Sequence, residues 1–230
     1  MTILNKRLTL AAEMLGQVKS VADIGTDHAF LPIYLIKEGL AERVIACDIA
    51  EGPLSVAKAN ITKYGLADKI ELRLANGLLG LEPNEVDAVT ILGMGGETIA
   101  DILTDSPWVK NPDITLILQP MSCDDRLREY LLCEGFEIKS ELGVESQGRF
   151  YTVMKVAFSG NIPKVGKEYK YIGKLLENPN AAAITFVNNR LKSMKACMRD
   201  IEKVERKRDL YNELKLATEA IEKMVTNYVK

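Results

Sequence analysis

The first 160 residues alternate between short apolar runs and segments in which apolar residues recur with the spacing of a helix face. The apolar runs predict five strands, over 21–24, 43–48, 70–74, 86–92 and 114–118. The other segments predict helices over 5–15, 30–37, 53–64, 98–103 and 124–133. Strands and helices that alternate in this way form βαβ units, so we expect a parallel sheet with helices on both faces.

Two further predicted strands, over 136–144 and 149–158, are joined by only a few polar residues. This connection is too short for the crossover that a parallel pair needs, so the two strands must form an antiparallel hairpin. The predicted fold class is therefore α/β, with five parallel strands plus an antiparallel C-terminal hairpin in one Rossmann-like sheet. We expect the fourth strand to end before Gly93 and the fifth to stop at Gln119-Pro120.

The remainder of the chain has a different pattern. Residues 161–182 contain two prolines and two glycines and predict a linker with one short helix. Beyond them, apolar residues recur in two heptad seams, which are Ile184, Val187, Leu191, Met194, Met198 and Ile201, then Leu210, Leu214, Ala217, Ile221, Met224 and Tyr228. The seams are interrupted by the polar run 205–209, which favours an antiparallel helical hairpin over the alternative of one long bent helix. We therefore expect one domain over 1–160 and a small all-α coiled-coil domain over 161–230.

Composition narrows the class of protein. With 230 residues, of which 47% are hydrophobic and 27% charged, the chain is typical of a globular protein of one domain plus an appendage. It contains no apolar run near the ~20 residues of a membrane-spanning helix, and polar residues interrupt the N-terminal apolar pattern where a secretory signal would continue. The four cysteines lack the paired spacing of disulfide scaffolds and zinc ribbons. We expect a cytoplasmic monomer that binds no metal and no membrane.

The net charge of −2 hides an asymmetry between the two regions. Residues 1–160 hold 15 basic and 23 acidic side chains, a net of −8. Residues 161–230 hold 15 basic and 9 acidic side chains, a net of +6. The basic region therefore indicates either contact with a polyanion or a solvated helical surface.

The candidate chemistry begins directly after the first strand, in the segment ADIGTDHA over 22–29. Gly25 allows the tight turn that places a nucleotide-like ligand at the carboxyl end of a strand. A dinucleotide site would carry glycine in place of Asp27 and Ala29, and an acidic side chain beside a pyrophosphate is unfavourable. Asp23 and Asp27 suit a cationic ligand better, for example one with a sulfonium and an ammonium group. A plain turn capped by Asp27 is the alternative.

Three more candidate segments follow predicted strands. Asp48 closes the second strand, where a carboxylate accepts hydrogen bonds from both ribose hydroxyls of an adenosine. Asn76-Gly77 follows the third strand, and a side-chain amide in a tight turn there suits an adenine edge. The segment GMGG over 93–96 follows the fourth strand, and its glycines allow close approach of a ligand and a second substrate.

These segments resemble motifs of class I S-adenosylmethionine-dependent methyltransferases and, more closely, of the bacterial tRNA (adenine-22-N1)-methyltransferase family. The resemblance rests on ADIGTDHAFLP over 22–32, GMGG over 93–96, LQP over 118–120 and GRFY over 148–151, and it spans about residues 5–156. It implies the class I methyltransferase fold, S-adenosyl-L-methionine as the cofactor, and methylation of N1 of adenine 22 in tRNA.

The resemblance also implies which residues form the site. The cofactor-binding residues would be Asp23, Gly25, Asp27, Asp48, Ile49, Asn76, Gly77, Gly93 and Met94. The catalytic residues, which face the methyl group and the incoming base, would be Asp27, His28, Gly95, Gln119 and Pro120. Adenine N1 carries a free lone pair at neutral pH, so we expect alignment rather than a strong base to supply the acceleration. A carboxylate such as that of Asp27 would stabilise the cationic product, and the target base must be unpaired or flipped out because N1 lies on its Watson–Crick edge.

The basic C-terminal region then has a candidate role. Basic residues recur at helical spacing beside the first seam and in a shorter row before it, and such rows suit phosphate contacts along folded RNA. The predicted RNA-binding residues are Lys167, Lys170, Lys174, Lys192, Lys195, Arg199 and Lys203. Two alternatives remain open at this point. One is a methyltransferase for a small molecule or protein that dimerises through its helical hairpin, and the other is a non-enzymatic RNA-binding module.

Overall fold

The computed structural model describes residues 4–228 and contains one seven-stranded sheet. Its strands are β1 (Val18–Ile24), β2 (Ala41–Asp48), β3 (Ile70–Leu74), β4 (Ala88–Gly95), β5 (Thr115–Ser122), β6 (Phe136–Ser146) and β7 (Arg149–Phe158). They lie in the order β3-β2-β1-β4-β5-β7-β6, with β1 to β5 parallel and β7 antiparallel to both of its neighbours. The predicted sheet is confirmed. Because β1 lies between β2 and β4, the strand order reverses there, which opens a crevice at the carboxyl ends of these strands.

Helices cover both faces of the sheet. One face carries α1 (Lys6–Leu15), α2 (Phe30–Lys37) and α3 (Glu51–Tyr64), and the other carries α4 (Gly96–Thr104) and α5 (Asp124–Cys133). Successive strand residues point to opposite faces, so Val44 packs in the first layer and Ile45 in the second. The predicted helices are confirmed to within two residues at each end.

β4 and β5 extend past their predicted carboxyl ends by three and four residues. β4 continues to Gly95 and β5 continues through Gln119-Pro120 to Ser122, so the expected ends at Gly93 and at Gln119-Pro120 are wrong. β7 pairs with β5 only as far as Leu118, and proline is tolerated beyond that point because that side of β5 is unpaired there. The register between β4 and β5 shifts around Met94, which accommodates the glycines. The glycine-rich segment is therefore partly held within the sheet rather than in a free loop.

The C-terminal region is an antiparallel helical hairpin. It consists of a short helix α6 (Tyr169–Ile172), followed by α7 (Ala181–Ile201) and α8 (Arg208–Tyr228). Lys195 pairs with Glu222, and three residues further along α7 Met198 accepts a hydrogen bond from Thr218, which lies earlier on α8. The two helices therefore run in opposite directions, which confirms the predicted hairpin and excludes a single long helix.

The two heptad seams pack against each other within the chain. Their buried members include Val187, Leu191, Met194, Ile201, Leu214, Ala217 and Ile221. Leu210, predicted in the second seam, is instead 41% exposed because it lies in the first turn of α8, directly after the break between the helices. The side chain of Tyr228 lies outside the described residues. The hairpin thus fills its own seam without a second chain.

The helical hairpin is docked on the sheet through β6. The Asn180 side chain donates to the Gly143 carbonyl at 2.9 Å and accepts from the Ala183 N–H at 2.8 Å, which caps α7. A Cβ on Gly143 would lie 2.3 Å from the Ala183 nitrogen, so only glycine allows this approach.

Within residues 4–228 no helix has both the length and the apolar character that crossing a membrane requires.

Candidate functional site

The crevice at the carboxyl ends of β1 and β4 is a cavity of about 400 Å³, a size typical of small-molecule sites, which span about 300–1,000 Å³. The turn after β1 forms its floor, the glycine-rich end of β4 forms one wall, and α1 forms the rim. Of the predicted site residues, Asp23, Gly25, Asp27, His28 and Gly93 line this cavity. The structure therefore brings the first and fourth strand motifs together in one site.

The turn after β1 has an uncommon backbone conformation. Gly25, Asp27 and Ala29 have φ angles of 74°, 48° and 56°, in the left-handed region. The Gly25 N–H donates to the Cys47 carbonyl at 2.9 Å, which fixes the turn to β2. A Cβ on Gly25 would meet only the terminal methyl carbon of Met94, the end of a flexible side chain, so it is the φ of 74° that favours glycine at this position. Left-handed non-glycine residues cluster at ligand sites, which is consistent with a turn shaped for binding.

Asp23 lies beneath this turn with only 5% of its surface exposed. Its Oδ1 accepts a hydrogen bond from the Thr90 hydroxyl at 2.7 Å. Burial raises the pKa of the Asp23 carboxyl above its ordinary value, the Thr90 and Thr26 hydroxyls oppose this shift, and the charge of Asp48 adds to it. The Thr26 hydroxyl in the same cavity is buried and forms no hydrogen bond of regular geometry among the described residues, although it lies close enough to Asp23 to lower the pKa of that carboxyl. A buried carboxyl and an unpaired hydroxyl in one cavity indicate a polar ligand with a cationic group.

Asp48 ends β2 beside this cavity without lining it. Its Oδ1 accepts from the Ala50 N–H at 3.0 Å, and its Oδ2 lies 3.4 Å from the backbone nitrogen of Asp27. These contacts hold the carboxylate at the strand end. Ile49 follows with 68% of its surface exposed, so its side chain is accessible to a ligand bound beside Asp48.

Asn76 and Gly77 lie on the far side of Asp48. β3 pairs with β2 so that Leu74 is opposite Asp48, which places the turn containing Asn76 at the same edge of the sheet. Gly77 has a φ of 58°, and a Cβ there would lie 3.1 Å from Ile102. The predicted cofactor residues that precede β4 therefore lie along the carboxyl ends of β1, β2 and β3.

The glycines at the end of β4 have different roles. Gly93 has a φ of 80° and lines the cavity, with Arg7 Nη1 3.7 Å from the position of a Cβ. Gly95 is the residue that caps α4. A Cβ on Gly96 would lie 2.2 Å from the Cys123 carbonyl oxygen, so this glycine allows the starts of α4 and α5 to meet. Only the first of these three glycines faces the ligand space directly.

His28 lies at the mouth of the cavity beside Asp27. The distance from its Nε2 to Asp27 Oδ1 is 3.5 Å, and both side chains are well exposed. The His28 ring also stacks on Phe30, with 5.2 Å between the ring centroids and 20° between the planes. An exposed pair of rings next to a carboxylate offers a flat surface on which a nucleobase can stack.

Arg7 belongs to the site although no sequence motif indicates it. Its guanidinium donates to the Gln119 side-chain oxygen, and it lies 3.4 Å from the Met121 sulfur and 5.5 Å from the centroid of the Tyr151 ring. The Gln119 side-chain nitrogen donates to the Pro120 carbonyl at 2.7 Å, so both the oxygen and the nitrogen of this buried amide form hydrogen bonds. Gln119 and Pro120 thus support Arg7 and do not line the cavity. The only signal in the sequence is a polar residue within the apolar pattern of α1.

The predicted RNA-binding residues differ in how they are paired. Three of them, Lys170, Lys174 and Lys195, lie within salt-bridge distance of glutamates. The side-chain nitrogen of Lys170 is 3.1 Å from a carboxylate oxygen of Glu129, and that of Lys195 is 2.5 Å from one of Glu222. The others are exposed, namely Lys167, Lys192, Arg199 and Lys203. Nearby carboxylates therefore offset part of the positive charge that the sequence counts in these rows.

The geometry fits S-adenosylmethionine. The cavity has an acidic, buried group and an unpaired hydroxyl for a cationic amino-acid end, and a carboxylate at the next strand end for a ribose. The exposed Ile49 and the turn at Asn76 lie next to Asp48 along the same edge of the sheet. Residues that can hold this cofactor are thus present in the spatial order that its parts require.

Comparison with known proteins gives the same indication. Residues 4–154 match the protein family described as a methyltransferase domain. The chain is similar to the tRNA (adenine(22)-N(1))-methyltransferase of Bacillus subtilis (strain 168), with 39% identity over 158 residues, covering 69% of this chain and 66% of that protein.

The similarity extends to solved structures. The crystal structure of the B. subtilis m1A22 tRNA methyltransferase TrmK matches with a TM-score of 0.85 and 29% identity, covering 98% of this chain and 100% of that chain. Streptococcus pneumoniae Sp1610, a candidate tRNA (m1A22) methyltransferase solved in complex with S-adenosyl-L-methionine, matches with a TM-score of 0.82 and 30% identity, covering 97% and 100% of the two chains. The shared fold thus includes the helical C-terminal region.

Proposed function

The chain belongs to the tRNA (adenine(22)-N(1))-methyltransferase family, and on this premise we propose that it transfers the methyl group of S-adenosylmethionine to N1 of adenine 22 in tRNA. The observation that carries this function is the cavity at the carboxyl ends of β1 and β4. Its floor is acidic, through Asp23 and Asp27, and its rim carries the guanidinium of Arg7. The acidic floor thus attracts the cationic cofactor, and the basic rim attracts the anionic RNA.

The cofactor is held along three strand ends in this proposal. Asp23 and the Thr26 hydroxyl take the ammonium end, because they are the buried polar groups that face the cavity. Asp48 accepts the ribose hydroxyls. Ile49 gives the adenine ring an apolar contact, and the turn at Asn76-Gly77 borders its polar edge. Gly25, Gly93 and Met94 shape the wall against which the reacting end lies.

The residues at the mouth of the cavity align the target base. The bound cofactor supplies an electrophilic methyl group on a sulfonium. Adenine N1 already carries a lone pair, so the chain has no proton to remove first and contributes mainly by alignment. His28 and Phe30 stack on the base and orient it, and the Asp27 carboxylate stabilises the positive charge that the base acquires.

A second group of residues supports the base from the rim. Arg7 contacts the RNA, where its charge and its planar guanidinium suit a phosphate or a base edge. Gln119 is a positioning residue that fixes Arg7, and Pro120 accepts the other end of the Gln119 amide. Gly95 keeps the start of α4 free of side chain next to the site.

The rest of the tRNA is held by the C-terminal region in this proposal, with Lys167, Lys170, Lys174, Lys192, Lys195, Arg199 and Lys203 contacting phosphates. Residues 1–160 then form the catalytic domain and 161–230 the RNA-holding domain. The protein acts as a monomer in the cytoplasm, because the hairpin seam is filled within one chain and the substrate is a cellular RNA.

The function is tested with labelled S-adenosylmethionine and two bacterial tRNA transcripts, one unmodified and one in which adenine 22 is replaced by guanine. We expect label to enter the first transcript as 1-methyladenine and not the second. Mapping by nuclease digestion places the methylated nucleoside. If neither transcript acquires label, the proposed function is wrong, and if both acquire it equally, the target nucleotide is wrong.

A further inference from the structure

A second cavity, of about 480 Å³, lies between the sheet and the helical hairpin. Its walls are the tip of the β6–β7 hairpin, the end of β5 and one face of α7. The side chains that characterise it are Arg149, Phe150 and Tyr151 at the start of β7, and Phe186, Asn189 and Arg190 on α7. We call it the junction cleft. None of these six side chains belongs to the predicted RNA-binding rows, and the proposed function leaves the GRFY segment over 148–151 without a role.

The chemistry of the junction cleft is aromatic and basic. Phe150, Tyr151 and Phe186 are each half-buried, so part of each ring faces solvent. Arg190 is held by Asp124 and lies 5.4 Å from the centroid of the Phe186 ring, while Arg149 is exposed. Among the described residues that line the cleft there is no carboxylate. Asp124 offsets the charge of Arg190, so the positive charge that the cleft offers to a ligand comes from the exposed Arg149.

The junction cleft is next to the cavity at the carboxyl ends of β1 and β4. Met121 and Tyr151 both line the cleft, and both contact Arg7, at 3.4 Å from the sulfur and 5.5 Å from the ring centroid. Arg7 in turn lines the cavity that holds Asp23 and Asp27. These three side chains therefore form a common wall, and a chain that leaves the methylation site over Arg7 enters the cleft.

We propose that the junction cleft binds the unpaired nucleotides that flank the target adenine. This inference rests on the proposed function, because it takes RNA as the substrate. A base whose N1 is exposed must be out of its pair, so its neighbours also lose stacking partners. Aromatic rings recover that stacking for any base, and the exposed guanidinium of Arg149 neutralises a phosphate between the bases. The cleft supplies both kinds of group next to the site.

The test uses the full-length protein and measures three quantities: the Kd for unmodified tRNA, its dependence on salt, and the Kd for S-adenosylmethionine. The variants are Phe150→Leu, Phe186→Leu and Arg149→Gln. Matched controls are Phe158→Leu at the other end of β7 and Arg126→Gln on the exposed side of α5. Thermal unfolding of each variant checks that it is folded, and Arg149 is exposed enough for its variant to keep the fold.

We expect each aromatic variant to weaken tRNA binding by about five- to 100-fold, the range for loss of one stacked base, with the salt dependence unchanged. Arg149→Gln should lower the slope of log Kd against log salt by about one, as for the loss of one phosphate contact. The Kd of every variant for S-adenosylmethionine should stay within twofold of wild type. The Kd of both control variants for tRNA should also stay within twofold. If the wild-type protein methylates tRNA but the cleft variants bind tRNA as tightly as wild type, the proposed role of the cleft is wrong and the proposed function stands. If the wild-type protein does not methylate tRNA, both proposals are wrong.

Discussion

Arg128 and Glu141 form an ion pair that is completely buried, with 2.8 Å between Arg128 Nη2 and Glu141 Oε1. The same guanidinium donates to Asp124 at 2.6 Å and to the carbonyl of Tyr171 at 3.2 Å. Burial alone would lower the pKa of Arg128, but the charges of Glu141 and Asp124 hold it above its ordinary value. Because Arg128 lies on α5, Glu141 on β6 and Tyr171 on α6, this buried cluster joins the C-terminal region to the sheet.

We predict that Arg128→Met lowers the free energy of unfolding by about 3–5 kcal/mol, because it leaves Glu141 as a buried charge without its ion-pair partner, whereas Asp124 keeps its pair with Arg190. Urea unfolding followed by circular dichroism measures the change. The double variant Arg128→Met with Glu141→Leu should recover part of the loss, since it removes two opposite charges together. Arg126→Met, on the exposed side of the same helix, is the control and should change stability by less than about 0.5 kcal/mol. Equal losses for Arg128 and Arg126 would contradict the assignment.

The sequence predicts the elements well and the charged contacts poorly. Helix and strand positions depend on local spacing, which is why α2, β3 and α5 match their predicted bounds. Arg7 and Gln119 are separated by 112 positions, and no pattern in either segment points to the other. Arg128 lies in the polar sequence DDRLREY, where an arginine is ordinarily exposed. Its burial depends on partners that only the folded chain brings together.

The same contrast applies to the candidate site. Asp23, Gly25, Asp27 and Gly93 are found from sequence because each follows an apolar run, and strand ends in a parallel sheet meet at one edge. The role of Gly96 is not visible in this way, because it depends on the approach of a second helix. Tyr151 and Phe186 likewise come together only through the docking of α7 on the hairpin.

Gly96→Ala tests the packing role of the glycine-rich segment. The new Cβ would lie 2.2 Å from the Cys123 carbonyl oxygen, which is backbone and cannot move aside without shifting α5. We expect a loss of stability of about 1–3 kcal/mol from overpacking, read as a lower Tm. Gly52→Ala is the matched control, because it lies in α3 with nothing within 4 Å of its Cβ, and it should raise stability by about 0.5–1 kcal/mol. A neutral Gly96→Ala variant would argue against a tight contact there.

Substitutions at Asp48 and Asp27 should affect different steps, cofactor binding for Asp48 and turnover for Asp27. Asp48→Ala removes the carboxylate at the end of β2, so we expect the Kd for S-adenosylmethionine to rise at least tenfold. Asp27→Ala removes a carboxylate at the mouth, so kcat should fall about tenfold or more with less than threefold change in that Kd. Calorimetry gives the Kd and steady-state methylation of tRNA gives kcat. An Asp27→Ala variant with full activity would remove Asp27 from the reaction.

The raised pKa of Asp23 predicts a pH dependence of cofactor binding. The free protein holds a proton on this carboxyl up to a higher pH than an exposed aspartate, because the group is buried. A cationic ligand favours the ionised form, so binding releases protons and tightens as the pH rises through the pKa of Asp23 in the free protein. Calorimetry at one pH in two buffers with different ionisation enthalpies measures the release.

Asp23→Asn should abolish that proton release and weaken binding by about 10- to 100-fold, as for loss of a hydrogen bond worth ~1.5–3 kcal/mol to a charged group. Asp87→Asn is the control, because Asp87 accepts from Ser20 at the opposite end of β1, away from the cavity. Proton release that persists in Asp23→Asn would assign the titration to another group.

Arg7→Gln tests the rim of the site. The guanidinium lines the cavity and is fixed by Gln119 and by the Tyr151 ring, so we expect its loss to lower kcat/KM for tRNA by at least tenfold. The Kd for S-adenosylmethionine should change less than threefold, because the cofactor is assigned to the opposite, acidic side. Gln119→Leu should act in the same direction but more weakly, since Arg7 keeps its other contacts. Lys6→Gln is the control, because Lys6 is next to Arg7 in the sequence but pairs with Glu145 on the surface. It should leave kcat/KM and the Kd for S-adenosylmethionine unchanged. An effect as large as that of Arg7→Gln would mean that only the net charge of α1 matters.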